Sequence, residues 1–167
     1  MAGTSSTGSP SPCQILVVDD DPSIRLLCAT SLQKAGYRVL EAEGSSEAMT
    51  LCAQAHTPID LLLTDLFLPP PDFQLRSSHS RYPRVNGHDL VHQVLSLKTE
   101  LRLLFMSNHT LTRLSSEGIT IDPKRFLHKP FSVQQLLSQV TAALTAPPIH
   151  RTHSAGRSAE KAVRWVD

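Results

Sequence analysis

The chain has 167 residues, of which 40% are hydrophobic, and its formal net charge is +1 at pH 7. This length predicts one domain with tails rather than two domains, and the hydrophobic share is enough for a buried core. The balanced charge gives no reason to expect a nucleic-acid groove or an anionic membrane as partner, and the longest apolar runs are far shorter than a membrane span.

Three cysteines, Cys13, Cys28 and Cys52, are widely spaced and form no C-x-x-C pair. Their odd number and spacing argue against a disulfide framework and against a zinc site. We interpret them as small core residues in a reducing compartment. Residues 1–12 are rich in Ser, Thr, Gly and Pro and lack the apolar stretch of a signal peptide, which predicts a disordered tail on a cytoplasmic protein.

Hydrophobic periodicity divides the chain into strands that alternate with helices. Strands are predicted at residues 15–18, 37–42, 61–64, 103–106 and 126–128, and helices at 22–35, 46–55, 87–97, 111–117 and 133–144. Asp21 and Pro22 predict the start of the first helix, and Gly36 predicts its end. Ser132 and Gln135 have the spacing of a capping box for the last helix.

Five strands that alternate with helices predict an α/β fold with a doubly wound, five-stranded parallel sheet and helices on both faces. The flavodoxin-like strand order 2-1-3-4-5 places the first and third strands side by side, and ligands bind outside the carboxyl ends of such strands. We place the domain at residues 13–145, with an inserted loop at about 69–85 and a flexible C-terminal tail at 146–167.

Polar residues stand where four of the predicted strands end. Asp19 and Asp20 follow the first strand, Asp65 the third, Ser107 the fourth and Lys129 the fifth. Carboxylates gathered at one edge repel, since two unit charges about 4 Å apart cost about 4 kcal/mol at an effective dielectric near 20. A Mg²⁺ ion relieves such repulsion and typically works beside phosphate oxygens. A lysine and a hydroxyl nearby would complete a cradle for a phosphoryl group.

These motifs resemble the receiver domains of two-component response regulators. The matching segments are 15–21 (ILVVDDD), 61–65 (LLLTD), 104–107 (LFMS) and 128–131 (HKPF). The resemblance runs from about Gln14 to Leu144, and the region from Leu103 to Phe131 is most similar to the receivers of hybrid sensor kinases. The fold and function that it implies are those of a phosphorylated signalling switch rather than an enzyme.

The resemblance implies a role for each acidic residue. Asp65 matches the phosphoacceptor, whose carboxylate takes the phosphoryl group of a phosphohistidine and forms an acyl phosphate. Asp20 and Asp65 would bind Mg²⁺ directly, together with the backbone carbonyl of Phe67. Asp19 would act mainly through a water molecule bound to the metal.

The resemblance also implies the switch and its partners. Lys129 would pair with Asp65 at rest and with the phosphoryl group afterwards, Ser107 matches the switch hydroxyl, and Phe126 matches the aromatic switch position. The expected partners are a sensor histidine kinase or phosphotransfer protein and a downstream protein, which would bind the face of the fourth helix, fifth strand and fifth helix. Receivers often dimerise on phosphorylation. The chain begins at Met1 and leaves no room for a kinase or DNA-binding module, so we expect a single-domain regulator.

Three features depart from the receiver pattern. The connection after Asp65 is long and carries basic residues, which fits either a lid over the site or a solvated, variable loop. Asn108 stands where receivers usually have Ala or Gly, and Phe67 is a large apolar residue beside the phosphoacceptor. We hypothesise that Phe67 hinders the hydrolytic water and lengthens the lifetime of the phosphorylated state.

Two other functions fit parts of the sequence. The first is a pseudo-receiver that binds partners without being phosphorylated. The second is an aspartyl phosphatase of the haloacid dehalogenase type, whose Asp-x-Asp motif 19–21 fits superficially, although the flap and cap of that family have no counterpart. His88 and His92 lie one helical turn apart, but without an evident third ligand they fit surface histidines better than a transition-metal site.

Overall fold

The computed structural model describes residues 12–54, 58–68, 86–98 and 100–150. Almost all of the predicted N-terminal tail, the inserted loop at 69–85 and the tail beyond His150 lie outside the described residues, as do Ala55 and the side chain of His88. Predictions about them therefore stay predictions.

The described elements follow the predicted alternation of strands and helices. The strands are β1 (Gln14–Val18), β2 (Arg38–Ala42), β3 (Leu61–Asp65), β4 (Glu100–Leu101), β5 (Leu103–Ser107), β6 (Phe126–His128) and β7 (Ile149–His150). The helices are α1 (Pro22–Lys34), α2 (Ser45–Ala53), α3 (Asn86–Leu97), α4 (Leu111–Ser116) and α5 (Val133–Thr145), with a 3-10 turn at Pro123–Arg125. Every described helix is too short or too polar to cross a membrane.

Five of these strands form one parallel sheet in the order β2-β1-β3-β5-β6. Counted within this sheet alone, the order is 2-1-3-4-5, which confirms the predicted flavodoxin-like topology. The register aligns the carboxyl ends, because Val18 lies opposite Thr64, Asp65 opposite Met106, and Ser107 opposite His128. The residues that follow these ends therefore meet at one edge of the sheet.

The core lies on both faces of this sheet, which explains the wholly apolar first strand. Leu16 and Val18 pack on one face with residues of α2, α3 and α4, whereas Ile15 and Val17 pack on the other with residues of α1 and α5. Side chains of a strand alternate between the two faces, so a strand with a helix layer on each side buries every residue.

The helix ends confirm the predicted caps. The Asp21 carboxylate accepts a hydrogen bond from the Ser23 N–H at 2.8 Å, and Pro22 opens α1. Ser132 and Gln135 form the capping box of α5 through reciprocal side-chain and backbone contacts. These caps fix the point at which the chain turns from the edge of the sheet into each helix.

The segment after α5 differs from the prediction. Ile149–His150 pairs in antiparallel fashion with Glu100–Leu101, beyond the predicted end of the domain at residue 145. The Arg125 guanidinium donates to the Pro147 carbonyl at 2.9 Å, and Arg102 donates to the Ala146 carbonyl at 3.3 Å. Strands of two residues are too short to carry a hydrophobic period, so no pattern in the sequence marks this pair.

The cysteines were interpreted as core residues, and helical spacing places Leu27, Ala35 and Val133 on the apolar faces of their helices, but Cys13 and these three residues are exposed. Val133 is 43% exposed because it occupies the first turn of α5, before the helix runs back along the sheet, and Leu27 in α1 is 38% exposed. Cys13 is exposed because it precedes β1, whereas Cys28 and Cys52 are buried as predicted.

Candidate functional site

Three carboxylates meet at the carboxyl edge of the sheet. Asp19, Asp20 and Asp65 each place one carboxylate oxygen so that the three atoms lie within 4.8 Å of one another. Asp19 and Asp65 are buried, whereas Asp20 is exposed. The structure therefore brings together the acidic residues that the sequence placed after the first and third strands.

Lys129 lies between two of these carboxylates. Its ammonium group donates to Asp19 Oδ2 at 2.6 Å and also to Asp65 Oδ2, while only 6% of the side chain is exposed. The Lys129 N–H donates to the Ser107 carbonyl at 2.8 Å, which holds the end of β6 against the end of β5. The peptide bond between Lys129 and Pro130 is cis.

Each of three strand ends is followed by the same kind of local turn. The Asp19 carboxylate accepts from the Asp21 N–H at 3.0 Å, and the Asp65 carboxylate accepts from the Phe67 N–H at 2.7 Å. The Ser107 hydroxyl accepts from the N–H two residues later, that of His109, also at 3.0 Å. Asp and Ser form such turns readily because their short side chains reach the backbone two residues on. Each turn holds its side chain at the edge of the sheet.

Burial and ion pairing act in opposite directions on the charged pair. Burial raises the pKa of the Asp19 carboxyl above its ordinary value, and the Lys129 ammonium opposes this rise without cancelling it. Burial alone would lower the pKa of Lys129, but its hydrogen bonds to Asp19 and Asp65 outweigh burial, so the net pKa is raised. Lys129 is therefore a firmly protonated cation at neutral pH.

The donor set fits a hard divalent cation. The cluster offers only carboxylate oxygens, of which that of Asp20 is open to solvent. Mg²⁺ prefers oxygen ligands and keeps several waters, so a partly open site of this kind suits it better than a closed cage would. A soft or borderline metal would instead need thiolate or imidazole ligands.

The two predicted switch residues lie on neighbouring strands. Ser107 is completely buried at the end of β5, and Phe126 is 7% exposed in β6. Phe105 in β5 is the register partner of Phe126. Asn108 is exposed, so its side chain is not packed into the core.

Three residues near the site have no role in the predictions from sequence. The Arg25 side chain donates to the backbone carbonyl of Asp19 at 2.5 Å. The His109 ring lies 4.8 Å from the Phe67 ring, centroid to centroid, at an interplanar angle of 59°. A Cβ atom on Gly87 would lie 2.1 Å from the carbonyl oxygen of Asp65. The partner is a backbone atom for Arg25 and for Gly87, and backbone atoms leave no trace in residue types.

Comparisons with known proteins point to one family. A model described as "Response regulator receiver domain" matches residues 15–72. The receiver domain of the hybrid histidine kinase CckA superposes with a TM-score of 0.58 and 26% identity, over 79% of this chain and 99% of that structure. The matched family model and the superposed structure are thus both of receiver domains. The similarity to the hybrid-kinase receiver agrees with the resemblance seen in the sequence.

For two further similar proteins, the matched region covers different shares of the other protein. The chemotaxis response regulator CheY4 of Vibrio cholerae superposes with a TM-score of 0.62 and 25% identity, over 79% of this chain and 98% of that structure. Response regulator SaeR of Staphylococcus aureus is 24% identical over 131 residues, which are 78% of this chain and 50% of that protein. The chain thus spans about half the length of the curated relatives it matches, and the single-domain arrangement stays a prediction.

Similarity to receiver domains sets general expectations for the site. Receiver domains are typically non-enzymatic signalling modules that interact with histidine kinases and downstream targets. The acidic pocket of receiver domains binds Mg²⁺, and this chain has an acidic cluster of Asp19, Asp20 and Asp65.

Proposed function

We propose that this receiver domain accepts a phosphoryl group on Asp65 in a reaction that requires Mg²⁺, and that the modification changes its contacts with other proteins. One observation carries the proposal: Asp65 is held by Lys129 and by the Phe67 N–H, in a cluster with Asp19 and Asp20. The donor would be a sensor histidine kinase or a phosphotransfer protein.

In the proposed reaction an oxygen of the Asp65 carboxylate attacks phosphorus in line with the leaving imidazole nitrogen. The P–N bond breaks, its electron pair stays on the imidazole, and an acyl phosphate forms on Asp65. Asp20, Asp65 and the Phe67 backbone carbonyl would hold the metal, with Asp19 acting through water. When bound, Mg²⁺ supplies positive charge that offsets the repulsion between the carboxylates and the incoming phosphoryl oxygens.

The side chains around Asp65 would then change partners. The Lys129 ammonium, which now contacts Asp19 and Asp65, would contact the phosphoryl oxygens instead. The Ser107 hydroxyl, which now accepts from the His109 N–H, could donate to the same oxygens. A movement of Ser107 would free space near the carboxyl end of β5 and so favour a new packing of Phe126.

The surface that would report this change lies beside Phe126. A cavity of about 660 Å³ opens between the start of α4, strand β6 and α5, and its lining includes Leu111, Phe126, His128 and Gln135. A new position of the Phe126 ring would reshape this cavity directly. We therefore propose this face for the downstream partner and for dimerisation upon phosphorylation, with the protein acting in the cytoplasm.

Phosphorylation can be tested with acetyl phosphate as donor and intact-mass spectrometry as readout. The wild type with Mg²⁺ should gain one phosphoryl group, and both chelation of the metal and Asp65→Asn should abolish the gain. Asp122→Asn is a matched control, since Asp122 caps the 3-10 turn away from the cluster. A wild type that stays unmodified would identify a pseudo-receiver, and a gain that survives Asp65→Asn would place the modification elsewhere.

The structure gives the phosphatase alternative little support. That reaction would need Asp19 as nucleophile and Asp21 as acid. Asp19 is completely buried against Lys129, and the Asp21 carboxylate caps α1 through Ser23. Both side chains are therefore already engaged in contacts that hold the fold. Steady release of phosphate that depends on Asp19 would revive this alternative.

A further inference from the structure

Arg25 connects three parts of the chain next to the acidic cluster. It is the fourth residue of α1, and its Nη1 atom donates to the backbone carbonyl of Asp19 at 2.5 Å. Its Nε atom lies 3.9 Å from Glu41 Oε2 in β2, and only 19% of its side chain is exposed. Arg25 therefore joins α1, the connection between β1 and α1, and the end of β2.

The carbonyl that Arg25 contacts belongs to the peptide group between Asp19 and Asp20. This peptide group is planar, so the direction of the Asp19 carbonyl also fixes the direction of the Asp20 N–H. The Asp19 N–H donates to the Ala42 carbonyl at 3.2 Å. The backbone of Asp19 is thus held on its N-terminal side by β2 and on its C-terminal side by Arg25.

The two carboxylates on either side of this peptide group differ in what holds them. The Asp19 carboxylate is buried and is fixed by Lys129 and by the Asp21 N–H. The Asp20 side chain is exposed at the edge of the sheet, yet its carboxylate has to lie close to those of Asp19 and Asp65. The orientation of the backbone therefore sets the position from which the Asp20 side chain reaches the cluster.

We propose that Arg25 is a positioning residue for the metal site: by fixing the peptide group between Asp19 and Asp20, it aims the Asp20 carboxylate at the cation that Asp65 shares. This inference rests on the proposed function, because it concerns the same Mg²⁺ site. Arg25 acts through the backbone and does not touch the metal.

The positive charge of Arg25 alone predicts that its removal would strengthen Mg²⁺ binding, whereas the proposed positioning role predicts weaker binding. A guanidinium near a cation site repels the cation, so its removal would strengthen Mg²⁺ binding if electrostatics were the whole role of Arg25. Loss of a positioning contact would instead weaken binding, because groups that orient metal ligands typically contribute about 10- to 100-fold to metal affinity. The sign of the change therefore separates the two roles.

The test is calorimetric titration of the full chain with Mg²⁺ alone. Arg25→Gln should weaken binding about tenfold. Arg25→Lys should fall between wild type and Arg25→Gln, because an ammonium group can donate to the same carbonyl but lacks the rigid fork of the guanidinium. Glu41→Gln, which removes only the ion pair at 3.9 Å, and Arg113→Gln, which removes an exposed ion pair in α4, should leave the affinity close to wild type. Unchanged or tighter binding in Arg25→Gln would overturn the proposal.

A double-mutant cycle separates positioning from a general effect on folding. If Arg25 acts through Asp20, Arg25→Gln should weaken Mg²⁺ binding far less in an Asp20→Asn background than in the wild type. Equal losses in both backgrounds would overturn the proposal. Urea unfolding without metal identifies variants that do not fold. If Arg25→Gln does not fold, Arg25→Lys is the deciding variant. Weaker Mg²⁺ binding in Arg25→Lys supports the proposal, and wild-type binding overturns it. A wild type that binds no Mg²⁺ would overturn the proposed function as well, whereas normal binding in both variants overturns only the role of Arg25.

Discussion

Lys129 and Asp65 form a buried ion pair although 64 residues separate them in the chain. The same ammonium group donates to Asp19 at 2.6 Å, so one cation serves two carboxylates in a space that is almost closed to solvent. Two buried carboxylates without a cation would repel, and Lys129 supplies that cation while no metal is bound.

Lys129→Met should destabilise the fold by about 3 kcal/mol, because loss of one partner leaves buried charge uncompensated. Mg²⁺ should recover part of this loss and should therefore stabilise the variant more than the wild type. Urea unfolding with and without Mg²⁺ measures both effects. Lys124→Met is the control, since Lys124 is exposed and should change little. A loss below about 1 kcal/mol would show that the ion pair contributes no more than a surface one does.

The stability that Lys129 contributes should depend on pH only in strongly alkaline solution. Its two carboxylate partners raise its pKa above the ordinary value of 10.5, against the effect of burial. A raised folded-state pKa means a contribution that is complete below the unfolded value and is lost as pH rises through the folded value. The difference in unfolding free energy between wild type and Lys129→Met should thus be constant from neutral pH to about 10 and shrink above that. A difference that already shrinks near pH 8 would contradict the raised pKa.

Gly87→Ala should destabilise the domain by about 3 kcal/mol, because the added Cβ would lie 2.1 Å from the Asp65 carbonyl oxygen and α3 would have to move. The same shift should disturb Asp65 and slow the proposed phosphorylation. Gly44→Ala is the matched control, since nothing lies within 4 Å of a Cβ there and the backbone is extended. Chemical denaturation measures stability, and equal losses in the two variants would show that the close approach does not matter.

Phe67→Asn should shorten the lifetime of the proposed acyl phosphate several-fold. Phe67 lies two residues after Asp65, its N–H donates to the Asp65 carboxylate, and its ring packs against His109, so a large apolar residue stands next to the site. An amide in its place can hydrogen-bond the attacking water. Decay of the phosphorylated protein after removal of the donor is the measurement, and Phe67→Leu should keep a lifetime near that of the wild type. Equal decay rates in wild type and Phe67→Asn would remove the hypothesis.

One thiol of three should react rapidly with a disulfide reagent at pH 8. Cys13 is exposed, whereas Cys28 and Cys52 are buried. Burial, assisted by the charge of Asp19, raises the pKa of Cys28 to about 12, and burial also raises that of Cys52. Both buried thiols therefore stay protonated and unreactive. Cys13→Ser should abolish the fast reaction, and denaturant should expose all the thiols that remain. A second fast thiol in the native protein would be inconsistent with the burial of Cys28 and Cys52.

Most of the sheet and the acidic cluster could be predicted because they follow from periodic patterns. The apolar runs mark strands buried on both faces, and the carboxyl ends of parallel strands share an edge. Asp19, Asp65 and Lys129 each come directly after or at the end of such a run, so a sequence position was enough to place them. The caps at Asp21 and Ser132 were predictable for the same reason, since each is local in the chain.

The contacts that could not be predicted join parts of the chain through atoms that carry no sequence signal. Arg25 and Gly87 both meet backbone atoms of aspartates, and such contacts depend on where a helix happens to approach a turn. The exposure of Val133 depends on how far α5 extends past the sheet. A helical period locates an apolar stripe but does not show where the layer beneath it ends.

The antiparallel pair of β4 and β7 fixes the place of the last described residues. Because β4 comes just before β5, the pair lies at the amino ends of the parallel strands, whereas Asp65 and Ser107 lie at their carboxyl ends. From Leu103 to Ser107 the strand covers about 13 Å at 3.3 Å per residue. His150 therefore lies at the base of the domain, and a partner that docks on the opposite rim would not meet it.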